Sequence, residues 1–271
     1  MRVLPIAAVC TASRLREFLI TRYSLEQYHA CKWVVMSDPA CHRYFGEEAA
    51  DNLVSVPNVI EEAPHPRTLA KSVVLLKMKA LRACLASYGE AWYLDSDLVF
   101  VHALPDSLGQ PSPQRPEVLV TQHHTRPEIA EKYGRFNGGM LFTRNMAFVD
   151  GWQALTEARG PSVDVDQKPL EAVVESGRFQ WSTAPDGCNF GWWRFENDHH
   201  LFRDVSLREG VIRYRGEPIV NFHFHVDRRI RRPIEGVFGH LVGVYLSNST
   251  DGRHRSLLEK IVQVLGHGLR D

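Results

Sequence analysis

Residues 91–101 read Ala-Trp-Tyr-Leu-Asp-Ser-Asp-Leu-Val-Phe-Val, an apolar run broken by Asp95 and Asp97. Its β-branched and aromatic content predicts a strand. A carboxylate within such a strand costs several kcal/mol to bury without a partner, so roughly that much has to be recovered from a ligand or a counter-charge. Side chains two positions apart in a strand share a face, which aims both carboxylates at one point and leaves Leu94, Leu98 and Phe100 on the other side. Two hard oxygen donors on one face suit Mg²⁺ or Mn²⁺, above all where phosphates of a ligand complete the coordination sphere. Open α/β sheets bind ligands at the carboxyl ends of their strands, which is where the pair sits if Asp97 begins a loop.

The flanking sequence supports an α/β domain with a largely parallel sheet. Val3–Cys10 reads as a buried first strand, 15–27 as a helix, 32–36 as a second strand and 53–56 as a third. Between 69 and 87, Val73, Leu76, Ala80, Leu81, Cys84 and Leu85 recur at helical spacing, and Gly89 follows as a stop signal. Further strands are expected at 117–121 and 139–143, helices at 145–158 and 167–175, a clean alternation at 218–226, and an amphipathic helix at 256–265.

The 271 residues carry 32 basic and 32 acidic side chains and are 44% hydrophobic. Neutrality excludes the basic excess of a general nucleic-acid binder, and the composition is that of a globular chain. Cys10, Cys31, Cys41, Cys84 and Cys188 form no CxxC pair, and an odd, scattered set fits a reducing compartment. No stretch approaches the roughly 20 apolar residues of a membrane span. The expectation is a cytoplasmic protein without a transmembrane segment or nucleic-acid partner.

The segment Tyr93-Leu94-Asp95-Ser96-Asp97-Leu98-Val99-Phe100, preceded by the helix carrying Lys77 and Lys79, resembles the D-x-D motif of glycosyltransferases with the GT-A fold. Phe136-Asn137-Gly138-Gly139-Met140-Leu141-Phe142 resembles a conserved strand of the same superfamily. Asp166-Gln167 resembles the pair that opens a helix beneath the donor sugar. His223-Phe224 is similar to the histidine motif HFxGxxK of glycosyltransferase family 8, with Arg229 in the lysine place. Val226 stands where that motif has Gly, and Lys168 where the family has a second Asp after Gln.

The resemblance implies a Rossmann-like GT-A fold, a mixed, mostly parallel central sheet flanked by helices. It implies one domain over 1–271, with a nucleotide-binding half at about 1–110, an acceptor- and metal-completing half at about 111–250, and a terminal helix at about 254–268. The activity implied is transfer of a sugar from a nucleotide-diphosphate donor, a UDP-sugar, to a hydroxyl acceptor such as a carbohydrate, with Mn²⁺ or Mg²⁺ as cofactor. Val9, Cys10 and Thr11 are then expected to line the nucleoside pocket and Lys77 to enter the donor site. Asn137 would meet a donor-sugar hydroxyl, and Gly138 would permit close backbone approach.

Asn221, His223, His225 and Asp227 fall on one face of the alternating strand, so either imidazole is able to complete a site with Asp95 and Asp97. The motif register favours His223 and leaves His225 as the competitor. Arg228, Arg229, Arg231 and Arg232 follow, and clustered guanidinium groups hold diphosphates through charge-assisted bonds; Arg229 and Arg231 are the candidates. Asp166 and Gln167 are the catalytic candidates. Asp166 would act as base in an inverting reaction, and either would stabilise the departing sugar in a retaining one; helix capping is the alternative reading of Asp166. The aromatic run 189–195 is an acceptor platform, a piece of core or a protein interface. The competing functions are a nucleotidyltransferase, although no Gly-rich N-terminal loop is present, and a non-catalytic nucleotide- or carbohydrate-binding module.

Overall fold

A computed structural model describes residues 3–45, 53–55, 66–105, 108, 116–123, 126–159, 166–196, 199–224 and 233–266. In chain order the principal elements are β1 (Val3–Cys10), α1 (Leu15–Glu26), β2 (Ala30–Ser37), β3 (Leu53–Ser55), α2 (Pro66–Tyr88), β4 (Ala91–Leu94) and β5 (Leu98–Phe100). There follow β6 (Val118–Gln122), α3 (Pro127–Tyr133), β7 (Phe136–Thr143), α4 (Met146–Ala158), α5 (Gln167–Val174), β8 (Trp181–Thr183) and β9 (Phe190–Gly191). The remainder comprises α6 (Trp193–Glu196), β10 (Val205–Arg208), β11 (Val211–Tyr214), β12 (Glu217–Pro218), β13 (Asn221–His223), α7 (Pro233–Asn248) and α8 (Gly252–Gly266). Among the described residues no helix is long and apolar enough to cross a membrane.

The chain forms two compact units, one of residues 1–13, 30–95 and 107–184, the other of residues 14–29, 96–106 and 185–271. The first holds a seven-stranded sheet in the order β3-β2-β1-β4-β7-β6-β8. Strands β3, β2, β1 and β4 run parallel, β7 runs antiparallel to β4 and β6, and β8 is parallel to β6. This is the mixed, mostly parallel, helix-flanked sheet that the sequence implied. β1 is buried from Leu4 to Cys10, and strands covered on both faces read as continuous apolar runs, which is why it was legible. Helix α2 covers one face with Leu76, Ala80, Leu81 and Cys84, meeting Ala7, Val9 and Tyr93 in a shared core.

The second unit contains two three-stranded sheets, β5-β13-β9 and β10-β11-β12, with α1, α7 and α8. Its core is aromatic: Phe190, Phe195, Phe222 and Phe238 are fully buried and lie ring to ring, with Phe190–Phe195 centroids 5.5 Å apart and Phe222–Phe238 also 5.5 Å.

The expected single strand at 91–101 is two strands. β4 ends at Leu94 in the seven-stranded sheet, and β5 starts at Leu98 and pairs with β13. Ser96 and Asp97 form a turn between them, so the two carboxylates do not lie on one face of a strand. A 3-10 helix, Pro39–Tyr44, follows β2.

Candidate active site

In the first unit the site is built around Lys77, which α2 carries into the interior. Its side chain is 7% exposed, with Nζ 3.0 Å from Asp95 Oδ1 and 3.1 Å from Asp166 Oδ2. Burial alone would pull the ammonium pKa down, but the two carboxylates outweigh it and hold the pKa above the ordinary lysine value. Lys77 is therefore a fixed positive charge at every physiological pH. Its ammonium also lies 5.2 Å from the centre of the Tyr93 ring, and Tyr93 donates its hydroxyl to Asp95 Oδ1 at 2.9 Å.

Asp95 is held by its backbone as well. Its N–H donates to the Gly139 carbonyl at 2.7 Å. That bond continues the β4–β7 ladder one step past the Leu94–Met140 pair, while on the other edge of β7 the β6 register shifts between Val120 and Thr121 and leaves Gly138, Gly139 and Met140 in a bulge. Asn137 supports the bulge, its Oδ1 accepting from the Gly139 N–H at 2.7 Å. A Cβ at position 138 would stand 3.0 Å from Asp166 Oδ2 and 3.4 Å from the Trp152 ring, close enough that a side chain there would press on the Asp166 carboxylate.

Asp166 occupies the N-cap position of α5, yet its side chain makes no capping bond. It turns to Lys77 instead, while its carbonyl accepts from the Trp152 indole N–H at 3.1 Å. Gln167 is partly exposed, and its Cβ packs so tightly on Gly134, at φ +107°, that a Cβ on Gly134 would lie 2.8 Å away.

The second unit supplies Asp97 and His223. Thr21 of α1 donates to the Ser96 carbonyl at 2.8 Å and accepts from the Leu98 N–H at 3.1 Å, while the Phe224 N–H donates to the Asp97 carbonyl at 3.1 Å. With its backbone so fixed, Asp97 lies with Oδ1 2.9 Å from His223 Nε2, both side chains no more than 10% exposed. The opposite ring nitrogen, Nδ1, is 2.6 Å from Asn189 Oδ1. An amide oxygen only accepts, so Nδ1 is the nitrogen that donates to Asn189, and Nε2 is the nitrogen that faces Asp97. A ring nitrogen and a carboxylate oxygen at that distance share a cation between them, either a proton or a metal ion. Asp95 is two residues before Asp97 in the chain, and within the second unit Asp97 and His223 offer a divalent metal one carboxylate and one imidazole.

Val9, Cys10 and Thr11 are buried at the carboxyl end of β1. Asp38 ties that end to β2, its N–H donating to the Cys10 carbonyl at 3.2 Å and its Oδ2 accepting from the Ala12 N–H at 2.8 Å. Cys10 and Cys41 are free thiols with sulfurs 4.0 Å apart. His225, Arg229 and Arg231, with Arg228 and Arg232, lie outside the described residues. Of the run 189–195, Phe190 and Phe195 belong to the aromatic core and Trp193 packs on Gly191, so core packing accounts for those three.

Sequence reasoning missed Asn189, Asn221 and Thr21. Thr21 shares its buried side of α1 with Glu17 and Ser24, a polar stripe at helical spacing that is a readable signal. Asn189 has one too, since it adopts φ +54° and asparagine tolerates left-handed backbone, but that signal says nothing of a partner 34 residues away.

No protein-family model matches the chain, and no curated protein matches its sequence. Solved structures do. The glycosyltransferase GlyE of Streptococcus pneumoniae TIGR4 superposes with a TM-score of 0.59 at 15% identity, over 94% of this chain and 63% of that one. The galactosyltransferase LgtC, solved with donor and acceptor sugar analogues, gives 0.51 at 14% identity over 93% of this chain and 99% of that one. Mouse xyloside xylosyltransferase 1 gives 0.52 at 12% identity, over 85% and 100%. The chain thus spans about 63% of the length of GlyE and has a GT-A-like fold.

Proposed function

We propose that this chain is a metal-dependent glycosyltransferase that moves a sugar from a UDP-sugar to an acceptor hydroxyl. The observation that carries the reading is the Asp97–His223 contact at 2.9 Å, made two residues from Asp95. In this reading Asp95, Asp97 and His223 would hold Mn²⁺ or Mg²⁺, and the ion when bound would supply Lewis-acid neutralisation of the donor diphosphate. The resemblance of these segments to the D-x-D and histidine motifs of family 8 supports the assignment, as does the fold shared with GlyE, LgtC and xyloside xylosyltransferase 1.

Lys77 presents a permanent positive charge next to Asp95 and fixes Asp166 by an ion pair. A carboxylate held by a charged ammonium is better suited to stabilising positive charge developing on the sugar than to removing a proton from the acceptor. Asp166 takes that electrostatic role, and Gln167, beside it at the start of α5, orients the sugar. Val9, Cys10 and Thr11 line the nucleoside pocket through their backbone. Asn137 and Gly138 approach the donor sugar, and Arg229 and Arg231 bind the diphosphate as it leaves. His225 is the reserve ligand should His223 not bind the metal. Both units together constitute one glycosyltransferase domain, and its five thiols fit the reducing cytoplasm.

The test is to incubate the purified chain with UDP-sugars and Mn²⁺ and to follow UDP release and sugar transfer by mass spectrometry. Asp97→Ala is expected to abolish Mn²⁺-dependent turnover while leaving the unfolding transition in place. Full activity in that variant, or no stabilisation of the wild type by any nucleotide sugar with Mn²⁺ in a thermal-shift screen, sinks the reading.

A further inference from the structure

His223 is held from several directions within the second unit. Asn189 Oδ1 faces Nδ1 at 2.6 Å, and the Trp193 ring stands edge-on with its centroid 4.7 Å from that of the imidazole. Trp193 reaches this place by lying over Gly191, where a Cβ would come within 2.2 Å of the indole. Asn189 is itself fixed. It is fully buried at φ +54°, and its N–H donates to Asn221 Oδ1 at 2.9 Å. Asn221 lies two residues before His223 on β13, so the two asparagines close a ring between that strand and the residue that leads into β9. The arrangement fixes a tautomer and an orientation at once: Nδ1 is committed to the amide oxygen, and Nε2 is the nitrogen turned to Asp97.

We propose that Asn189 is a positioning residue that makes Nε2 of His223 the metal-binding nitrogen, and that Asn221 holds Asn189 in register for it. The inference rests on the metal reading given above and adds to it the group that determines which nitrogen binds. Loss of such an outer partner typically lowers metal affinity by about 10–100-fold. Asn189→Gly removes the amide while leaving a residue at ease with positive φ, and Asn189→Asp restores an acceptor oxygen at the same place.

The experiment titrates Mn²⁺, with and without UDP, into the full chain and counts free Mn²⁺ by electron paramagnetic resonance. In parallel, ¹⁵N spectra of the metal-free protein read the protonation of each His223 nitrogen. The expected result is Mn²⁺ affinity lowered about tenfold or more in Asn189→Gly and restored to within about threefold of wild type in Asn189→Asp. In the spectra of the wild type, Nδ1 carries the proton. A purely structural asparagine would shift the melting temperature of Asn189→Gly without this rescue of affinity by aspartate. Equal Mn²⁺ affinity in wild type and Asn189→Gly overturns the proposal, as does a wild-type His223 with Nδ1 unprotonated. The second result needs no variant to fold. A wild type that binds no Mn²⁺ with or without UDP overturns the metal reading itself, and with it the consequence drawn for Asn189.

Discussion

Replacing Lys77 with methionine removes the positive charge set between Asp95 and Asp166 and keeps most of its stem volume. The two contacts are 3.0 and 3.1 Å long. Unit charges about 4 Å apart attract by about 4 kcal/mol at an effective dielectric near 20, and desolvating the ammonium gives several kcal/mol of this back. Breaking a buried pair from one side costs about 3–5 kcal/mol, because the charge left behind has no partner. Asp95 and Asp166 are 24% and 14% exposed, which lets water relax part of that cost and argues for the lower end, about 3 kcal/mol. For a chain of this size that corresponds to a melting temperature lower by roughly 6–12 °C. Because the Lys77 pKa is raised, its contribution is fully present below the ordinary lysine value of about 10.4 and is lost only as pH rises through the folded value. The deficit of the variant is therefore complete at pH 7. Urea unfolding at pH 7 measures it, and Lys77→Met/Asp166→Asn is the control, because neutralising one orphaned carboxylate recovers part of the loss. A deficit below about 1 kcal/mol, or a double variant as unstable as the sum of the single ones, would refute the account of Lys77 as the buried counter-charge.

Gly191→Ala drives a methyl group to within 2.2 Å of the Trp193 ring. Overpacking of this kind costs about 1–3 kcal/mol, and a shifted tryptophan emission spectrum should report the displaced indole; an unchanged spectrum and stability would contradict the packing. Gly187→Ala brings a Cβ within 2.0 Å of the Pro218 carbonyl oxygen, a backbone atom that does not swing aside. That variant should unfold at least as readily as Gly191→Ala in the same urea titration. His102 has its pKa lowered to about 4, first by burial and then by His254 beside it. Its contribution to stability is full above the ordinary histidine value of about 6.5 and is lost as pH falls toward 4, a total of about 2–3 kcal/mol. Unfolding measured at pH 7, 5.5 and 4.5 should show this slope in the wild type and a shallower one in His102→Gln; equal slopes would remove His102 from the explanation.

Elements whose burial is expressed along the chain were readable from it. β1 is apolar throughout because both its faces are covered, and α2 repeats its core residues at helical spacing. Helix α7 left no such trace, since Gly236, Gly239 and Gly243 weaken its propensity. It forms because Phe238, Val242, Tyr245 and Leu246 are buried in the aromatic core of the second unit, a tertiary gain that local preference does not register. The aromatic run at 190–195 has the composition of a sugar platform and of a core alike, and only its neighbours Phe222 and Phe238 decide between them.

The candidate site shows the same division more sharply. Residue types offered a chemistry: Asp95, Asp97 and His223 were singled out as ligands, and the second unit sets Asp97 and His223 2.9 Å apart. The geometry offered for the pair was different. Alternation along a strand was to aim both carboxylates at one point, yet apolar continuity from 91 to 101 does not record that β4 pairs with β1 and β7 while β5 pairs with β13. Each carboxylate is held within its own unit by backbone hydrogen bonding, Asp95 by the Gly139 carbonyl and Asp97 by the Phe224 N–H. Asp166 follows the same logic, having the position of a helix cap and spending its side chain on a lysine 89 residues earlier. A sequence names the groups able to bind a metal or a sugar. What orients them here is hydrogen bonding to distant backbone and to Asn189 and Lys77, and those partners follow no period that a linear reading can detect.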